Sequence, residues 1–392
     1  MPWQEESTME LRRQFIQDVH SGATPVTELC TAYQISRKTA YKWLARYEAG
    51  GLPALADQSR RPAHSPTATP PELVQALLAA RAHHPRWGPR KLLRLLRQQL
   101  PTAPWPARST LALHLQRAGL SVPPRRVRRP GHPGRPQALM DAPNAVWTVD
   151  FKGQFRLGDG TRCYPLTIAD GYSRMLLSCR ALTSTRVAES HPVFGRAFQE
   201  YGLPGRIRSD NGVPFATQAL GRLSPLSVWW VRLGILPDLI EPASPQQNGR
   251  HERMHRTLKA DCTRPPSAAR RAQQRRFDAW RGEYNELRPH QALDDATPAS
   301  LYQPSPRPYP RRLPPLEYPA HYEVRRVSHN GGIRWHAHWV NVSQTLGGER
   351  IGLTEIDDGE WDVYFGPLRL GRFHERTLVI EDVLGRHYRR HY

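Results

Sequence analysis

Three carboxylates occupy positions from which acidic side chains can act together on a phosphate. Asp150 lies in WTVDFKG, Asp210 in RSDNG and Glu252 in SPQQNGRHERMHRTLK, with 59 and then 41 residues between successive members. The patterns place Asp150 in a strand, Asp210 at the end of a strand and Glu252 at the start of a helix. Such positions converge on one edge of a sheet, where carboxylates repel one another unless divalent cations lie between them.

A cluster of this kind suits phosphoryl transfer. Two Mg²⁺ ions about 3.5–4 Å apart activate the attacking oxygen and stabilise the leaving oxygen. Each carboxylate alone also suits a structural role, since an Asp before Asn-Gly, as at Asp210, commonly forms a turn. The pattern of all three, rather than any one of them, predicts a metal-dependent site.

The elements that must position the carboxylates alternate in type across residues 143–302. The order predicted is a set of consecutive antiparallel strands, then helix, strand, helix, strand and two helices, which indicates a mixed sheet flanked by helices. Strands are predicted at 147–151, 155–157, 164–169, 175–181, 206–209 and 239–241, and helices at 185–201, 218–234, 248–261 and 267–287. In the last helix Tyr284 and Leu287 are expected to pack inward, and Pro289 to end it.

Four segments, in the same order as in a known family, carry a resemblance: WTVDFKG, TIADGYSR, RSDNG and SPQQNGRHERMHRTLK. Residues 143–302 resemble the ribonuclease-H-like catalytic core of DDE transposases and retroviral integrases, and the wider chain resembles bacterial insertion-sequence transposases. The resemblance implies that Asp150, Asp210 and Glu252 are the catalytic, metal-binding triad. It also implies two Mg²⁺ ions per active site, with Mn²⁺ as a possible substitute.

The same resemblance gives the helix after Asn248 a role in gripping DNA. Arg256 and Lys259 lie four and seven residues beyond Glu252 and therefore share its helix face. The family places DNA-phosphate contacts at such positions and a polar residue near the transferred strand at Asn248. A solvated basic stripe is the alternative for Arg256 and Lys259. Asp170, in TIADGYSR, is expected to support a turn and strand, and His290 is expected to be structural.

Residues 1–60 predict a helix-turn-helix domain. Leu11, Phe15 and Val19 recur on one helix, Leu29 and Tyr33 mark a second, and Ser36 can cap a third that buries Ala40, Trp43, Leu44 and Tyr47. The third helix would then present Arg37, Lys38, Thr39 and Lys42 to DNA. The turn position that commonly holds glycine is Gln34. A basic three-helix bundle without DNA binding is the alternative.

A second helical, helix-turn-helix-like DNA-binding domain is predicted at residues 70–120, followed by a basic, proline-rich linker at 121–142. From Leu73 to Met140 there are 13 basic residues and no acidic residue. A solvated surface normally mixes both signs, so this run predicts contacts with a phosphate backbone. The residues assigned to that contact are Arg90, Lys91, Arg125, Arg126, Arg128 and Arg129.

The C-terminal part is predicted to be a β domain. A second proline-rich linker covers 303–318, and residues 319–392 alternate in the manner of strands, with turns at 329–332 and 357–359. A small SH3-like β-barrel, similar to the C-terminal module of integrases, fits this pattern. The fold expected is thus multidomain α+β: helix-turn-helix modules, a ribonuclease-H-like α/β core with a mixed sheet, and the barrel.

Composition agrees with a polyanionic partner. The chain has 56 basic and 35 acidic residues, a formal net charge of +21, of which +12 lies in 1–142, +7 in 143–302 and +2 in 303–392. Arginine supplies all but five of the basic residues, which suits phosphate contacts but equally fits a GC-rich genome.

The four cysteines have no paired spacing, so neither a disulfide scaffold nor structural zinc is expected. No apolar run reaches membrane-span length and no signal peptide begins the sequence, so a bacterial cytoplasmic, nucleoid-associated protein is expected.

The function predicted is a DDE transposase that binds the terminal inverted repeats of an insertion sequence. It would catalyse Mg²⁺-dependent cleavage of the DNA ends and strand transfer into target DNA, as a homodimer or higher oligomer on double-stranded DNA. A domesticated, non-catalytic DNA-binding regulator that retains the fold is the alternative, although it gains nothing from carboxylates that face DNA. A ribonuclease H acting on hybrids fits the core but leaves the basic N-terminal modules unexplained.

Overall fold

The chain forms two compact units in the computed structural model, which describes residues 7–59, 68–121, 138–241, 245–383, 385 and 387–388. The first unit is Met1–Pro70 and the second is Pro71–Tyr392. Three regions of the second unit follow one another along the chain: a helical segment, a mixed sheet with its helices, and a C-terminal β region. The second of these carries the three candidate carboxylates.

The first unit is built from three helices, α1 (Thr8–Ser21), α2 (Val26–Ala32) and α3 (Arg37–Gly50). Ser36 caps α3 as predicted, because its hydroxyl accepts a hydrogen bond from the Thr39 amide at 3.2 Å. Gln34 takes the left-handed conformation of the turn, with φ 52°. The expected core is confirmed at Phe15 and Trp43, but Leu11 is 39% exposed and Ile16 takes the buried position instead.

The second unit begins with α4 (Pro71–His83), α5 (Pro89–Gln99) and α6 (Arg108–Arg117). These helices share a small core that includes Leu77, Trp87 and Leu92. They are joined to the region that follows by polar contacts: His84 Nδ1 lies 2.9 Å from Glu283 Oε1, and Arg90 Nε donates to Asp295 Oδ2 at 2.8 Å. The predicted second helical module is therefore part of the same compact unit as the sheet.

The central sheet is mixed, as the order of elements predicted. Its strands are β1 (Val146–Phe151), β2 (Phe155–Arg156), β3 (Arg162–Asp170), β4 (Leu176–Leu182), β5 (Arg206–Ser209) and β6 (Leu236–Leu239). Strand β1 pairs antiparallel with β3 and parallel with β5, and β5 pairs parallel with β6. Strand β3 pairs antiparallel with both β2 and β4.

Helices cover the two faces of this sheet. They are α7 (Val187–Tyr201), α8 (Pro225–Arg232), α9 (Gly249–Cys262), α10 (Arg270–Gly282) and α11 (Pro298–Leu301). One core joins Phe194 and Phe198 of α7 with Trp230 of α8, and a separate core joins Leu258 of α9 with Phe277 of α10. Because α9 packs against the sheet through its buried side, its other side faces outward with Glu252.

Several boundaries differ from the prediction for local reasons. Helix α8 begins at Pro225 rather than at 218, because Ser224 caps it and Gly221 takes φ 65° in the segment before it. Strand β6 lies at Leu236–Leu239 rather than at 239–241, since its pairing with β5 sets the register. Helix α10 ends at Gly282 and a π-helical turn continues to Leu287, whose side chain is 47% exposed rather than packed inward.

The C-terminal region contains eight strands. They are β7 (Glu323–Arg326), β8 (Gly332–Trp335), β9 (His338–Asn341), β10 (Arg350–Asp357), β11 (Glu360–Phe365), β12 (Leu368–His374), β13 (Val379–Asp382) and β14 (His387–Tyr388). The order β14-β13-β12-β11-β10-β7 is open within the described residues, and β8 and β9 form a separate hairpin. The predicted turns at 329–332 and 357–359 are confirmed, with Gly331 and Gly359 at positive φ. A closed barrel is not confirmed, because β7 and β14 remain the edges of the sheet.

No helix in the described parts of the chain combines the length and apolar character needed to cross a bilayer.

Candidate active site

The sheet register brings Asp150 and Asp210 to the same edge. Strands β1 and β5 run parallel with Thr148 opposite Arg208, and each carboxylate lies two residues further along the chain, Asp150 within β1 and Asp210 immediately after β5. Side chains two residues apart point to the same face, and neighbouring strands are about 4.8 Å apart. Arg208, 2% exposed, fixes β5 by donating through Nε to Asp238 Oδ2 on β6 at 2.7 Å. Asp210 follows directly, and its Oδ1 accepts from the Gly212 amide at 3.2 Å.

Glu252 lies in the first turn of α9, where its side chain is exposed. Arg256 and Lys259 are also exposed on this helix, so the shared face predicted from the spacing is present. The charge of Glu252 contributes to the environment of Asp150, as does the charge of Asp210. The charges of both other candidate carboxylates therefore act on Asp150.

A buried hydroxyl and two imidazoles join α9 to the strand that carries Asp150. Thr167 on β3 lies opposite Asp150, and its Oγ1 donates to the Asp150 carbonyl at 3.0 Å. The same Oγ1 lies 2.6 Å from Nε2 of both His251 and His255, and Nδ1 of His251 lies 2.9 Å from Thr148 Oγ1. Because these histidines flank Glu252 along the helix, the network holds α9 in register with the sheet.

Neither histidine neutralises the carboxylates. Burial lowers the pKa of His251 to about 3, and burial together with the charges of His251 and Lys152 lowers the pKa of His255 well below its usual value. His255 Nδ1 lies 3.4 Å from Asp150 Oδ2, but a neutral imidazole supplies no counter-charge there. The contact is therefore one of packing and polarity rather than an ion pair.

Asp150 carries the strongest electrostatic signal of the three carboxylates. Its pKa is raised to about 7, mainly by burial and then by the charge of Asp210, with a smaller effect of Glu252, while the Phe151 amide and Lys152 oppose the change. A carboxyl whose ionised form is destabilised by burial and by like charges is characteristic of catalytic and metal sites. A bound cation would remove that destabilisation.

The donor chemistry of this edge suits a hard divalent cation, since Asp150, Asp210 and Glu252 offer only carboxylate oxygens. The buried, repelling charge at Asp150 is the observation that supports the fit. Across the described ranges, no three or more His, Cys, Asp or Glu side chains are already drawn together as a metal-binding group. The four cysteines, Cys30, Cys163, Cys179 and Cys262, are all free and buried.

The predicted DNA-binding residues of the first unit occupy the start of α3. Arg37, Lys38 and Lys42 are exposed, and the ammonium of Lys42 lies 4.8 Å from the centre of the Trp43 ring. Thr39 is half-buried and its Oγ1 lies 2.9 Å from Ser36 Oγ, so it takes part in the helix cap. The three basic side chains thus extend from one end of the helix into solvent.

The other predicted DNA contacts are dispersed. Arg90 pairs with Asp295, whereas Lys91 lines a cavity beside α9. Asn248 is only 6% exposed, and its Oδ1 has no hydrogen-bond partner in the described part of the chain. The basic linker residues Arg125, Arg126, Arg128 and Arg129 lie outside the described residues.

Asp170 and His290, which lie in or near the motifs of the site, are both buried and have contacts typical of structural residues. Asp170 is 1% exposed, and its carboxylate accepts from the Asn144 amide at 2.8 Å and from the amide and hydroxyl of Ser173 at 2.7 and 2.6 Å. His290 is buried with its ring centre 4.8 Å from that of Tyr284. The structural role expected for Asp170 agrees with these contacts.

The sequence analysis missed the network of His251, His255 and Thr167. A signal was present, because the two histidines are four residues apart and therefore lie on one helix face, on either side of Glu252. Nothing in the sequence, however, pairs that face with Thr148 and Thr167, which come from two different strands.

Four family models match this chain. An integrase core domain matches residues 140–245 and a second integrase core model matches 233–298, together covering the sheet and its carboxylates. A helix-turn-helix domain matches 11–63 and a homeodomain-like domain matches 39–115.

Relatives in insertion elements share much of the sequence. An IS136 protein of Agrobacterium fabrum is 44% identical over 141 residues, 33% of this chain and 69% of that protein. An IS476 protein of Xanthomonas euvesicatoria is 27% identical over 75% of this chain and 78% of that protein. An IS407 protein of Burkholderia multivorans is 31% identical over 47% of this chain and 65% of that protein. The chain belongs to the family of insertion-element proteins with an integrase core domain.

Solved retroviral integrases are also similar to this chain, more distantly. A simian T-cell lymphotropic virus intasome in complex with a PP2A regulatory subunit contains a chain that is 18% identical, with a TM-score of 0.37, over 75% of this chain and 97% of that one. The HTLV-2 integrase catalytic core domain in complex with magnesium is 16% identical, with a TM-score of 0.32, over 41% of this chain and 98% of that one. The family assignment stands on the sequence relatives and the family models.

Proposed function

We propose that this protein is a DDE transposase that cleaves the ends of its insertion element and joins them to target DNA. The observation that supports the proposal is the parallel register of β1 and β5, with Asp150 and Asp210 at the same end of these strands, together with the charge of Glu252 acting on Asp150. The helix-turn-helix matches support binding of double-stranded DNA, and we assign the terminal inverted repeats to those modules. Joining two ends in one event requires at least a dimer on DNA.

The catalytic residues proposed are Asp150, Asp210 and Glu252, which would hold two Mg²⁺ ions, or Mn²⁺ in their place. When bound, such ions supply charge that activates the attacking oxygen and stabilises the leaving oxygen. The chain itself positions the reacting groups. Thr167, His251 and His255 keep α9 and its carboxylate against the sheet, and Arg256 and Lys259 present positive charge to DNA phosphates along the same helix face.

Regions outside this edge have proposed roles of their own. Arg37, Lys38, Thr39 and Lys42 would contact the repeat from α3, while Asn248 lies beside the transferred strand. Arg90, Lys91 and the linker arginines 125, 126, 128 and 129 would contact the phosphate backbone. The C-terminal β region is proposed to act as the small barrel-like module that accompanies an integrase core.

Labelled duplexes that carry the ends of the element test the function directly. Incubation with the intact protein and Mg²⁺ should release a 3′-hydroxyl end and then join it to a plasmid, and a chelator should stop both steps. Binding without cleavage would identify a DNA-binding regulator instead. Cleavage restricted to the RNA strand of a hybrid would identify a ribonuclease H. Either of these two results would overturn the proposal.

A further inference from the structure

A cavity of about 220 Å³ lies beside α9, on the side of the helix that carries Arg250, Arg253 and Thr257. Its walls come from α5, the turn between β3 and β4, α9, and the segment after α10. Asp170, in the cavity wall, shows where the cavity lies along the sheet. Asp170 pairs with Trp147 on β1, and Trp147 is three residues from Asp150, a distance of about 10 Å at the usual rise per residue. Thr148 and His251 also line the cavity, so it lies next to the carboxylate edge, although none of the three candidate carboxylates is part of its wall.

Cationic side chains dominate this cavity, which is smaller than the roughly 300–1,000 Å³ that drug-sized ligands occupy. Six of them line it: Lys91, Arg174, Arg250, Arg253, Arg256 and Arg288. Of these six, only Arg288 forms an ion pair within the described ranges, with its Nη1 3.7 Å from Asp261 Oδ2. The one carboxylate of the wall, Asp170, already accepts three hydrogen bonds. Six cationic side chains and one carboxylate therefore line the cavity, which leaves an excess of positive charge.

Two buried nitrogens in the wall also lack partners. His290 is 9% exposed and its Nε2 makes no hydrogen bond, and the Nε of Arg174 is buried without an acceptor. Buried polar atoms are normally satisfied, and one that is not calls for a ligand, an ion or water. Arg250, by contrast, is held in place, because its Nη1 donates to the Gly171 carbonyl at 2.6 Å.

Burial and, to a smaller extent, like charge disfavour the protonated forms of two groups in this wall. Burial and the charge of Arg288 lower the pKa of Lys91 to about 8, against the opposing effect of Asp261 and Asp295. Burial and the charges of Lys91, Arg288 and Arg174 lower the pKa of His290 to about 3. An anion in the cavity would raise the pKa values of Lys91 and His290. The planar guanidinium groups of arginine suit phosphate oxygens in particular.

We propose that this cavity is a binding site for a phosphate-bearing anion, held by Lys91, Arg174 and Arg288 with His290 at its wall. The chemistry required is a compact, doubly or more highly charged phosphate group. Two sources supply it: a backbone phosphate of bound DNA, or a free anion such as pyrophosphate. The proposal concerns binding alone, so it stands or falls independently of strand cleavage.

Inorganic pyrophosphate is the probe, titrated calorimetrically into the full chain at constant ionic strength. We expect saturable binding that weakens at least tenfold in Lys91→Gln and, separately, in Arg174→Gln. Arg334→Gln is the matched control, since Arg334 is exposed on β8 and forms no ion pair among the described residues. Circular dichroism of each variant verifies the fold, and two independent variants keep the test valid if one of them unfolds.

The salt dependence of DNA binding separates the two sources. If a DNA phosphate occupies the cavity, Lys91→Gln and Arg174→Gln should each reduce the slope of log affinity against log salt by about 0.9, while Arg334→Gln leaves it unchanged. If the anion is free, pyrophosphate binding weakens in the two variants but the DNA slope is unchanged. Absence of saturable pyrophosphate binding together with unchanged DNA slopes would overturn the proposal, as would pyrophosphate binding that is equal in all variants.

Discussion

Asp150 is partly buried and lies near other negative charges, and both conditions destabilise its ionised form. Its nearest basic group, His255, is neutral, and the effects that raise its pKa to about 7 outweigh those of Lys152 and the Phe151 amide. Groups held in this way contribute little to stability and persist where function requires them. Hydrogen bonding thus distinguishes Asp150 from Asp170, whose carboxylate accepts three hydrogen bonds.

Lys91 yields a pH prediction at the same scale. Its pKa falls from 10.5 to about 8 in the folded chain, so between these values the unfolded chain binds more protons and stability rises with pH. Relative to Lys91→Gln, the intact protein should gain about 1 kcal/mol of unfolding free energy between pH 7.5 and 9.5, after allowance for partial exposure. Urea denaturation of both proteins at the two pH values measures this, and a relative loss over that interval would contradict the proposed environment of Lys91.

Sequence patterns located the candidate carboxylates because those depend on local context. Asp210 precedes Asn-Gly at a strand end and Glu252 lies in a first helical turn, and both features are visible in a few residues. Thr167 could not be recognised in this way, since its hydroxyl acquires its role only when β3 pairs with β1 and α9 packs across them. Lys91 and Arg288 likewise meet only through the packing of α5 against the segment after α10.

At the scale of elements, α9 depends on a few polar contacts to keep Glu252 at the sheet edge. Thr167→Val should leave two imidazole nitrogens and the Asp150 carbonyl without that partner, at a cost of about 1–3 kcal/mol. Thr354→Val, on β10, removes a hydroxyl with no such contacts and should change stability by less than about 0.5 kcal/mol. Denaturant midpoints of the two variants test this, and equal midpoints would show that the network does not anchor α9.

The turn before α3 is a second element where sequence and structure agree. Gln34 holds φ 52°, a conformation that costs a side-chain-bearing residue roughly 1–2 kcal/mol and costs glycine almost nothing. Gln34→Gly should therefore stabilise the first unit, whereas Gln17→Gly, inside α1, should destabilise it by about 1 kcal/mol. Amide exchange of α1–α3 in the full chain measures both, and effects of the same sign would refute the assigned turn.

Element boundaries were predicted less well than element types. The alternation of apolar residues identified β1, β3 and β4, but the position of β6 follows from its register with β5, which no local pattern records. The prediction of a closed C-terminal barrel was not confirmed for the same reason, since the pairing of distant strands leaves no local pattern in the sequence. The hairpin turns at Gly331 and Gly359 were evident from sequence, whereas closure depends on whether β7 meets a distant strand.

At the scale of the whole molecule, the division of the chain falls at Pro70 and not at the end of the helical segments. Helices α4–α6 belong with the core, through His84 with Glu283 and Arg90 with Asp295. The excess of +12 in the first 142 residues is therefore divided between two units. Part of the positive charge predicted for separate N-terminal DNA-binding domains, including Lys91, lies in the second unit beside α9.

Truncation tests this division. A chain that begins at Pro71 should retain the unfolding transition of the second unit, because that unit is compact by itself. A chain that begins at residue 122 should lose stability, since it leaves Glu283 and Asp295 unpaired and exposes the surface that α4–α6 covered. Scanning calorimetry of both truncated chains provides the comparison. Indistinguishable transitions would mean that α4–α6 form an independent domain.

The central claim is that the three carboxylates form a metal-dependent strand-transfer site, and Glu252→Gln tests it most directly. Strand transfer of labelled element ends with Mg²⁺ should fall by more than about 100-fold in this variant, while DNA binding is retained. Glu355→Gln, an exposed carboxylate on β10, makes the same change of charge and should transfer strands at the rate of the intact protein. Equal rates for Glu252→Gln and the intact protein would contradict the account.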